Sequence, residues 1–428
     1  MQKWRISLLI IAAIVFYASI FVIPFSMFFL LTNFLMIFFS VLVILMFFEK
    51  KENPQINPDY KPLVSIIMPC YNDGKYSVEA IGELLKATYK KIEIIVINDG
   101  STDDSLQLLK QIKNKRVKVL NNQINLGKAA SLNKGIKQSK GELILVIDGD
   151  TIVEKTAIEN AVKLISNEKI GAVVGIVRVK NNDKILEKIQ EVEYLVNFGF
   201  WSKALGNKDS IFITPGPFAL YKKKILRQVN YFDKNNITED MDVGIKIRKL
   251  GYNIIRSEKS IVYTYIPNKL NNLFRQRTRW SRGKIFNIFK HREILFKKKY
   301  GFLGKIMMPL SFIVEFMGVA ILVRAIYLFL NYLLTSINTT ITLFKVDSSM
   351  VLSKALELSI VDSSTYFIFS FLLLMVIMIY FSIKIGSYKV TLKNFWSILL
   401  YGTLIGIFLP VAYLNAIRLE GFNKKLKW

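Results

Sequence analysis

Two aspartates separated by a single glycine, Asp148 and Asp150, follow an apolar run at Leu143–Ile147. Strand side chains alternate between faces, so positions two apart share one. If the extended backbone persists to Asp150, both carboxylates aim at one spot. Two anions held that close repel each other unless a cation lies between them. Hard divalent ions such as Mg²⁺ take oxygen ligands and bridge carboxylates to phosphate. The pair therefore predicts a metal–diphosphate site at the end of a strand. An ordinary acidic turn, for which Asp and Gly are well suited, is the alternative reading.

Other polar groups stand at comparable places. Asn98-Asp99-Gly100-Ser101-Thr102-Asp103 ends a second apolar run, where an acid can accept hydrogen bonds from a ribose or a base. Ser101, Thr102 and Asp103 are also good helix caps. Lys128 opens a helix and could meet phosphate there, or be a solvated surface lysine. Asp240, in Thr238-Glu239-Asp240-Met241-Asp242, suits a general base; acids in a first helical turn are also favoured by the helix dipole. In Arg275–Gly283, Gln276, Arg279 and Trp280 share a helix face. An indole beside guanidinium groups suits a sugar ring and a diphosphate. A basic interfacial helix anchored by Trp is the rival, and Lys290–Lys299 fits it better.

The elements that must position these groups follow from hydrophobic patterning. Strands are predicted at Leu63–Met68, Ile92–Ile97, Val117–Leu120, Leu143–Ile147 and Ala172–Val179. Helices are predicted at Val78–Ala87, Thr102–Ile112, Lys128–Gln138 and Lys155–Ile165. This alternation argues for an α/β domain with a Rossmann-like, mostly parallel sheet, whose ligands bind at the carboxyl ends of the strands.

The ends of the chain differ from its middle. Of 428 residues 52% are hydrophobic, and the mean hydropathy is +0.33. The apolar excess lies at the termini, which indicates membrane segments. A hairpin is predicted at Ile6–Val22 and Met27–Phe48, with a break near Pro24–Thr32. Lys3, Arg5, Lys50 and Lys51 flank it and place both its ends in the cytoplasm. The prolines Pro54, Pro58 and Pro62 mark a linker. Further spans are predicted at Ile306–Leu330, Tyr366–Ile385 and Phe395–Tyr413, with Pro309 and Glu315 making the first one impure. Thr335–Thr365 reads as an outer segment. Three full crossings would leave the basic tail at Lys424–Lys427 outside, against the positive-inside rule. The division is thus a transmembrane hairpin at 1–50, a cytoplasmic domain at 51–300, and interfacial and transmembrane helices at 301–428.

The net charge of +27 suits loops facing anionic lipid. No nucleic-acid partner is expected, because such an enzyme has no need of the apolar spans. One cysteine, Cys70, and one histidine, His291, exclude an intrachain disulfide and any Cys- or His-rich metal site. A metal must be held by oxygen.

Pro69-Cys70-Tyr71-Asn72, Asn98-Asp99-Gly100-Ser101, Asp148-Gly149-Asp150, Thr238-Glu239-Asp240 and Gln276-Arg277-Thr278-Arg279-Trp280 follow in an order that resembles the processive membrane synthases of glycosyltransferase family 2. That group includes synthases of poly-β-1,6-N-acetylglucosamine, hyaluronan and cellulose. The resemblance covers about Leu63–Gly283 and implies a GT-A domain flanked by transmembrane helices in the plasma membrane. It implies a UDP-sugar donor, UDP-GlcNAc being the best guess, a polysaccharide or glycolipid acceptor, and Mg²⁺ or Mn²⁺. By the same resemblance, Asp240 is the catalytic base and Asp150 the metal ligand. Tyr71, Asp99, Lys128, Asp148, Gln276, Arg277, Arg279 and Trp280 bind substrate, with Gly216–Tyr221 turned toward the acceptor. The product is a β-linked polysaccharide made by an inverting hexosyltransferase, with room left for export and for a small accessory membrane subunit. A non-processive transferase acting on a lipid carrier, or a non-enzymatic nucleotide sensor, are the alternatives. One departure is Pro267-Asn268-Lys269, where the family often has Pro-x-Thr.

Overall fold

The computed structural model describes residues 25–50, 56–343, 363–386 and 392–422, with scattered positions between 7 and 18. Most of the predicted Ile6–Val22 arm, Pro24, Lys51, Pro54, most of Thr335–Thr365 and the tail at Lys424–Lys427 lie outside the described residues.

The middle of the chain forms one sheet of eight strands in the order β3-β2-β1-β4-β7-β6-β8-β5. They are β1 (Val64–Cys70), β2 (Ile92–Asp99), β3 (Val117–Asn122), β4 (Leu143–Val146), β5 (Ile152–Val153), β6 (Ile170–Val179), β7 (Ala219–Lys222) and β8 (Asn253–Thr264). The first four pair in parallel, with Val64 opposite both Ile92 and Leu143. Strands buried on both faces read as unbroken apolar runs, which is why β4 could be seen as Leu-Ile-Leu-Val. The sheet is mostly but not wholly parallel: β7 runs antiparallel to β4 and β6, and β5 antiparallel to β8. Short β5 and β7 carry too few residues to show a period.

Helices cover both faces. Val64, Ile66 and Met68 pack beneath α2 (Gly74–Leu85) and α5 (Ala157–Ile165), while Ile67, Ile95 and Ile97 meet α4 (Lys128–Gln138) on the other face. Helix α3 (Ser105–Lys110) follows β2. Each fully buried Ile or Leu contributes about 1.5–3 kcal/mol. Beyond β6 the chain continues through α6 (Ile185–Tyr194), a wide helical turn at Leu195–Trp201, α7 (Ser202–Asn207), α8 (Lys223–Gln228), α9 (Glu239–Lys249) and α10 (Leu270–Lys290).

Among the described residues, three helical stretches are long and apolar enough to cross a membrane: Leu30–Phe48, Leu303–Ser336 and Trp396–Gly421; Leu372–Ile385 is a shorter apolar helix. The first belongs to α1 (Phe25–Phe48), which runs unbroken through Thr32, so the expected break does not fall within Phe25–Thr32. Helix α11 (Met308–Leu343) continues past Thr335 into the segment read as facing outside, because Thr and Asn lower helix propensity without breaking a helix. Pro309 follows a wide π turn at Leu303–Met307, and Pro410 follows another at Leu404–Phe408. Proline removes a ladder hydrogen bond, and such turns absorb the loss. Helices α12 (Ser363–Gly386), α13 (Leu392–Thr403) and α14 (Leu409–Gly421) follow among the described residues. The sheet domain is fastened to α14 by a buried Arg282–Glu420 ion pair and to α1 by Phe47 stacked on Phe200 at 4.5 Å.

Candidate active site

The carboxyl ends of β1, β2 and β4 open into a cavity of about 1360 Å³. Tyr71, Asp99, Lys128, Asp148, Asp150, Asp240, Gln276, Arg277, Arg279 and Trp280 all line it. Residues from six segments of the chain thus share one wall, although only the Asp148–Asp150 and Gln276–Trp280 members are close in sequence.

Local turns set the floor. Asn72 adopts a left-handed φ of 57°, and its side-chain oxygen accepts from the Thr102 N–H at 2.9 Å. The Asn72 N–H in turn donates to Ser101 Oγ at 3.0 Å. Ser101 and Thr102 therefore join the loops after β1 and β2 instead of capping α3; Asp103 accepts the Ser105 N–H at 3.0 Å. Asp99 is buried and accepts from Asn122 Nδ2 (2.7 Å), Leu126 N (3.0 Å) and Gly127 N (2.9 Å). It shapes the loop before α4, and a carboxylate with about four acceptor positions retains one toward the cavity.

The two DxD carboxylates part company. Strand β4 stops at Val146, and Thr151 N bonds back to Asp148 O at 3.1 Å, so the extended geometry does not reach Asp150. Gly149 lets the chain turn there, because the turn chemistry of Asp-Gly-Asp outweighs strand extension. Asp148 pairs with Lys128 Nζ at 2.5 Å. Asp150 is left with the Thr264 hydroxyl at 3.3 Å. Its carboxyl is pushed up to about 7, by burial first and then by the charges of Asp148 and Asp73. Asp73 itself is raised by burial and by Asp103 and Asp148.

Lys128 is not a free surface lysine. Its ammonium also lies 3.4 Å from the buried Glu239. Burial opposes its charge, but Asp148 and Glu239 outweigh this and hold its pKa above the ordinary value. Asp240 begins α9, where its Oδ1 accepts the Met241 N–H at 2.8 Å and its carbonyl accepts the Thr214 hydroxyl at 2.7 Å. Burial, then Glu239, pushes its carboxyl up to about 6, against the pull of Lys128 and Arg279. A carboxylate tuned to that range is suited to take a proton near neutral pH.

Helix α10 brings Gln276, Arg279 and Trp280 to the cavity together. Arg277 is committed elsewhere: its guanidinium makes a buried, two-pronged pair with Glu193 at 2.5 and 3.2 Å and lies 4.2 Å from the Trp280 ring centroid. It orients the indole and is not available as a diphosphate ligand. Lys290, read from sequence as interfacial, pairs with Asp233 and Asp242 at 2.6 Å each.

Glu239, Asp73, Glu193 and Thr264 were missed as site residues. Glu239 and Asp73 adjoin recognised motifs and could have been found; Glu193 and Thr264 carry no local signal. The cavity continues between the apolar helices, past Phe28 and Met36 of α1 and along Ser311, Val314, Ile321 and Arg324 of α11.

The mixed, mostly parallel sheet with acidic strand ends facing a cleft is the GT-A architecture of nucleotide-sugar transferases. It resembles the mannosyltransferase PcManGT of Pyrobaculum calidifontis, solved with GDP-Man and Mn²⁺, at a TM-score of 0.58 and 18% identity over 91% of this chain and 99% of that one. Residues 65–229 match the family described as Glycosyl transferase family 2. It is 34% identical over 239 residues to the poly-beta-1,6-N-acetyl-D-glucosamine synthase of Staphylococcus epidermidis, covering 55% of this chain and 56% of that one. The corresponding synthase of Staphylococcus aureus (strain COL) is 34% identical over 238 residues, covering 55% and 58%. The match thus spans somewhat over half the length of these curated relatives.

Proposed function

We propose that the chain is a membrane-embedded inverting glycosyltransferase that moves a sugar from a UDP-sugar, best UDP-GlcNAc, to the growing end of a β-linked polysaccharide. The observation that carries this reading is the convergence of Asp99, Asp148, Asp150, Asp240 and the Gln276–Trp280 face on one cavity that continues between apolar helices. The name of the staphylococcal relatives supports the choice of product. The long apolar helices support a multi-pass protein of the plasma membrane with its sheet domain in the cytoplasm.

Asp99 would accept from the uridine, and Trp280 would stack on the acceptor sugar. Asp150, with Asp148, would hold Mg²⁺ or Mn²⁺. The donor set fits: these are hard oxygen ligands, and Asp150 lies among carboxylates that raise its proton affinity. Among the described residues no group of three acids is arranged to hold an ion, so the donor's diphosphate oxygens would complete the shell. The bound ion would neutralise charge on the departing diphosphate. Lys128 and Arg279 add positive charge beside it. Asp240 would take the proton of the attacking acceptor hydroxyl. A single in-line displacement inverts the anomeric centre, so an α-linked donor yields a β-linkage.

The wall along α1 and α11, where Phe28, Met36, Val314 and Ile321 stand among polar side chains, favours a second reading, in which one sugar passes to a lipid-linked acceptor. Purified full-length protein should release UDP from one member of a UDP-sugar panel when Mn²⁺ or Mg²⁺ is present. Gel-resolved polymer supports the first reading and a lipid-extractable single-sugar product the second; absence of UDP release across the panel overturns both. Asp240→Asn should bind UDP yet transfer nothing, and retained transfer removes the base assignment.

A further inference from the structure

Helix α10 meets the base-bearing loop through residues four apart: Arg279, Gly283 and Asn287, followed by His291 just past the helix end. Residues at this spacing form one ridge along a helix. Every member touches the segment 236–242. An Arg279 guanidinium N–H points at Ile237 O at 3.4 Å. Gly283 makes room: a Cβ there would lie 2.1 Å from Thr238 Oγ1. Asn287 is fully buried and donates to Thr238 Oγ1 at 2.9 Å and Thr238 O at 3.3 Å, while accepting from Asn236 Nδ2 at 2.7 Å. Asn236 Oδ1 accepts the Thr238 N–H at 3.0 Å, closing the ring. His291 Nε2 is 2.9 Å from Asp242 Oδ1.

The two contents of α10 are therefore joined. Gln276 and Trp280 reach the cavity, and Gly283 and Asn287, seven residues further on and so on the same side of the helix, grip the residues on either side of Asp240. An apolar core residue could fill the Asn287 position, but only a side chain with both a donor and an acceptor satisfies Asn236 and Thr238 together. A half-satisfied buried network costs more than an apolar one, so its completeness fixes a single arrangement.

We propose that Asn287 is a positioning residue for Asp240, and that this ridge makes placement of the base depend on the seating of the Gln276–Trp280 helix. The inference rests on Asp240 being the base. It assigns Asn287 no contact with substrate: the residue acts through Thr238.

The test uses full-length protein in detergent or liposomes, with UDP as the binding probe and the UDP-sugar found active as donor. Asn287→Ala should lower kcat about 10- to 100-fold, the cost of a misplacement near 1 Å, while the UDP dissociation constant and donor KM stay within about twofold. The acid limb of the kcat/KM profile should move as well, because Glu239, Lys128 and Arg279 face Asp240 from three elements and their distances change together. Thr238→Val removes one partner without changing shape. It should lower kcat in the same sense, and the double variant should be no slower than Asn287→Ala, since both act through one contact. Thr238→Val also serves if Asn287→Ala does not fold. Unchanged kcat and pH profile in whichever variant folds overturns the inference, as does a kcat loss matched by lost UDP affinity. If wild type releases no UDP, or Asp240→Asn stays active, it is the base assignment that falls.

Discussion

Lys128 Nζ lies 2.5 Å from Asp148 Oδ1, so one half of the DxD pair is neutralised from within the protein. The other half, Asp150, has no such cation among the described residues and, on the proposed reading, is the carboxylate that would gain most from a metal. Lys128 also lowers the proton affinity of Asp240. Lys128→Met should therefore weaken donor binding and shift the acid limb of the rate profile upward by about one pH unit. Steady-state kinetics across pH checks this; an unmoved limb would separate Lys128 from the base.

Asp240 can accept a proton only when ionised. With its carboxyl pushed up to about 6, transfer should be full above neutrality and fall about tenfold per pH unit below 6. The sign follows from the direction of the shift: a raised pKa keeps the inactive, protonated form present to higher pH than an ordinary carboxylate would. A kcat/KM profile flat down to pH 5 would contradict it.

Stripping divalent ions with EDTA should abolish UDP release, and Mn²⁺ or Mg²⁺ should restore it. Asp150→Asn keeps the shape but loses the anion, so the metal concentration for half-maximal rate should rise about 100-fold. Asp148→Asn should cost less metal affinity and more donor affinity, since Asp148 is already paired. Metal titrations of the two variants distinguish their roles.

Gly216 faces the same pair: a Cβ there would lie 2.5 Å from Lys128 Nζ and 2.7 Å from Asp148 Oδ2. Both are side-chain tips that can give way, so Gly216→Ala should change stability by no more than about 1 kcal/mol. The displaced tips should nevertheless raise donor KM. Thermal unfolding and donor titration, taken together, read the two effects separately.

The buried Arg277–Glu193 pair predicts a stability effect. Glu193→Gln leaves a guanidinium buried without its counter-charge and should destabilise the fold by about 3–5 kcal/mol. It should also release Trp280 from its stacking partner. Thermal unfolding in detergent measures the first effect, and indole fluorescence the second.

Much of the architecture was legible because it is locally encoded. Helix α4 begins at Lys128 and ends at Gln138, as its apolar spacing predicts, and β1 to β4 fall within three residues of their predicted limits. Apolar runs, periodicity and turn residues act over a few positions, so a short window reveals them. The ordered motifs likewise pointed to one shared site, and their residues line one cavity.

Pairing across distance was decided only by tertiary structure. Asp148 and Asp150 look equivalent in the chain, yet Lys128 neutralises one and Thr264 merely touches the other. Arg277 and Arg279 look like a common pair of phosphate ligands, yet Glu193, 84 positions away, claims the first. Asp240 stands 47 residues before Asn287, which carries no mark of its importance until Thr238 is seen against it. The physical reason is common to all three. The strength and role of a charge depend on burial and on which opposite charge or donor the fold sets beside it. Residue type dictated which groups could do the chemistry; their neighbours in space dictated which of them are free to do it.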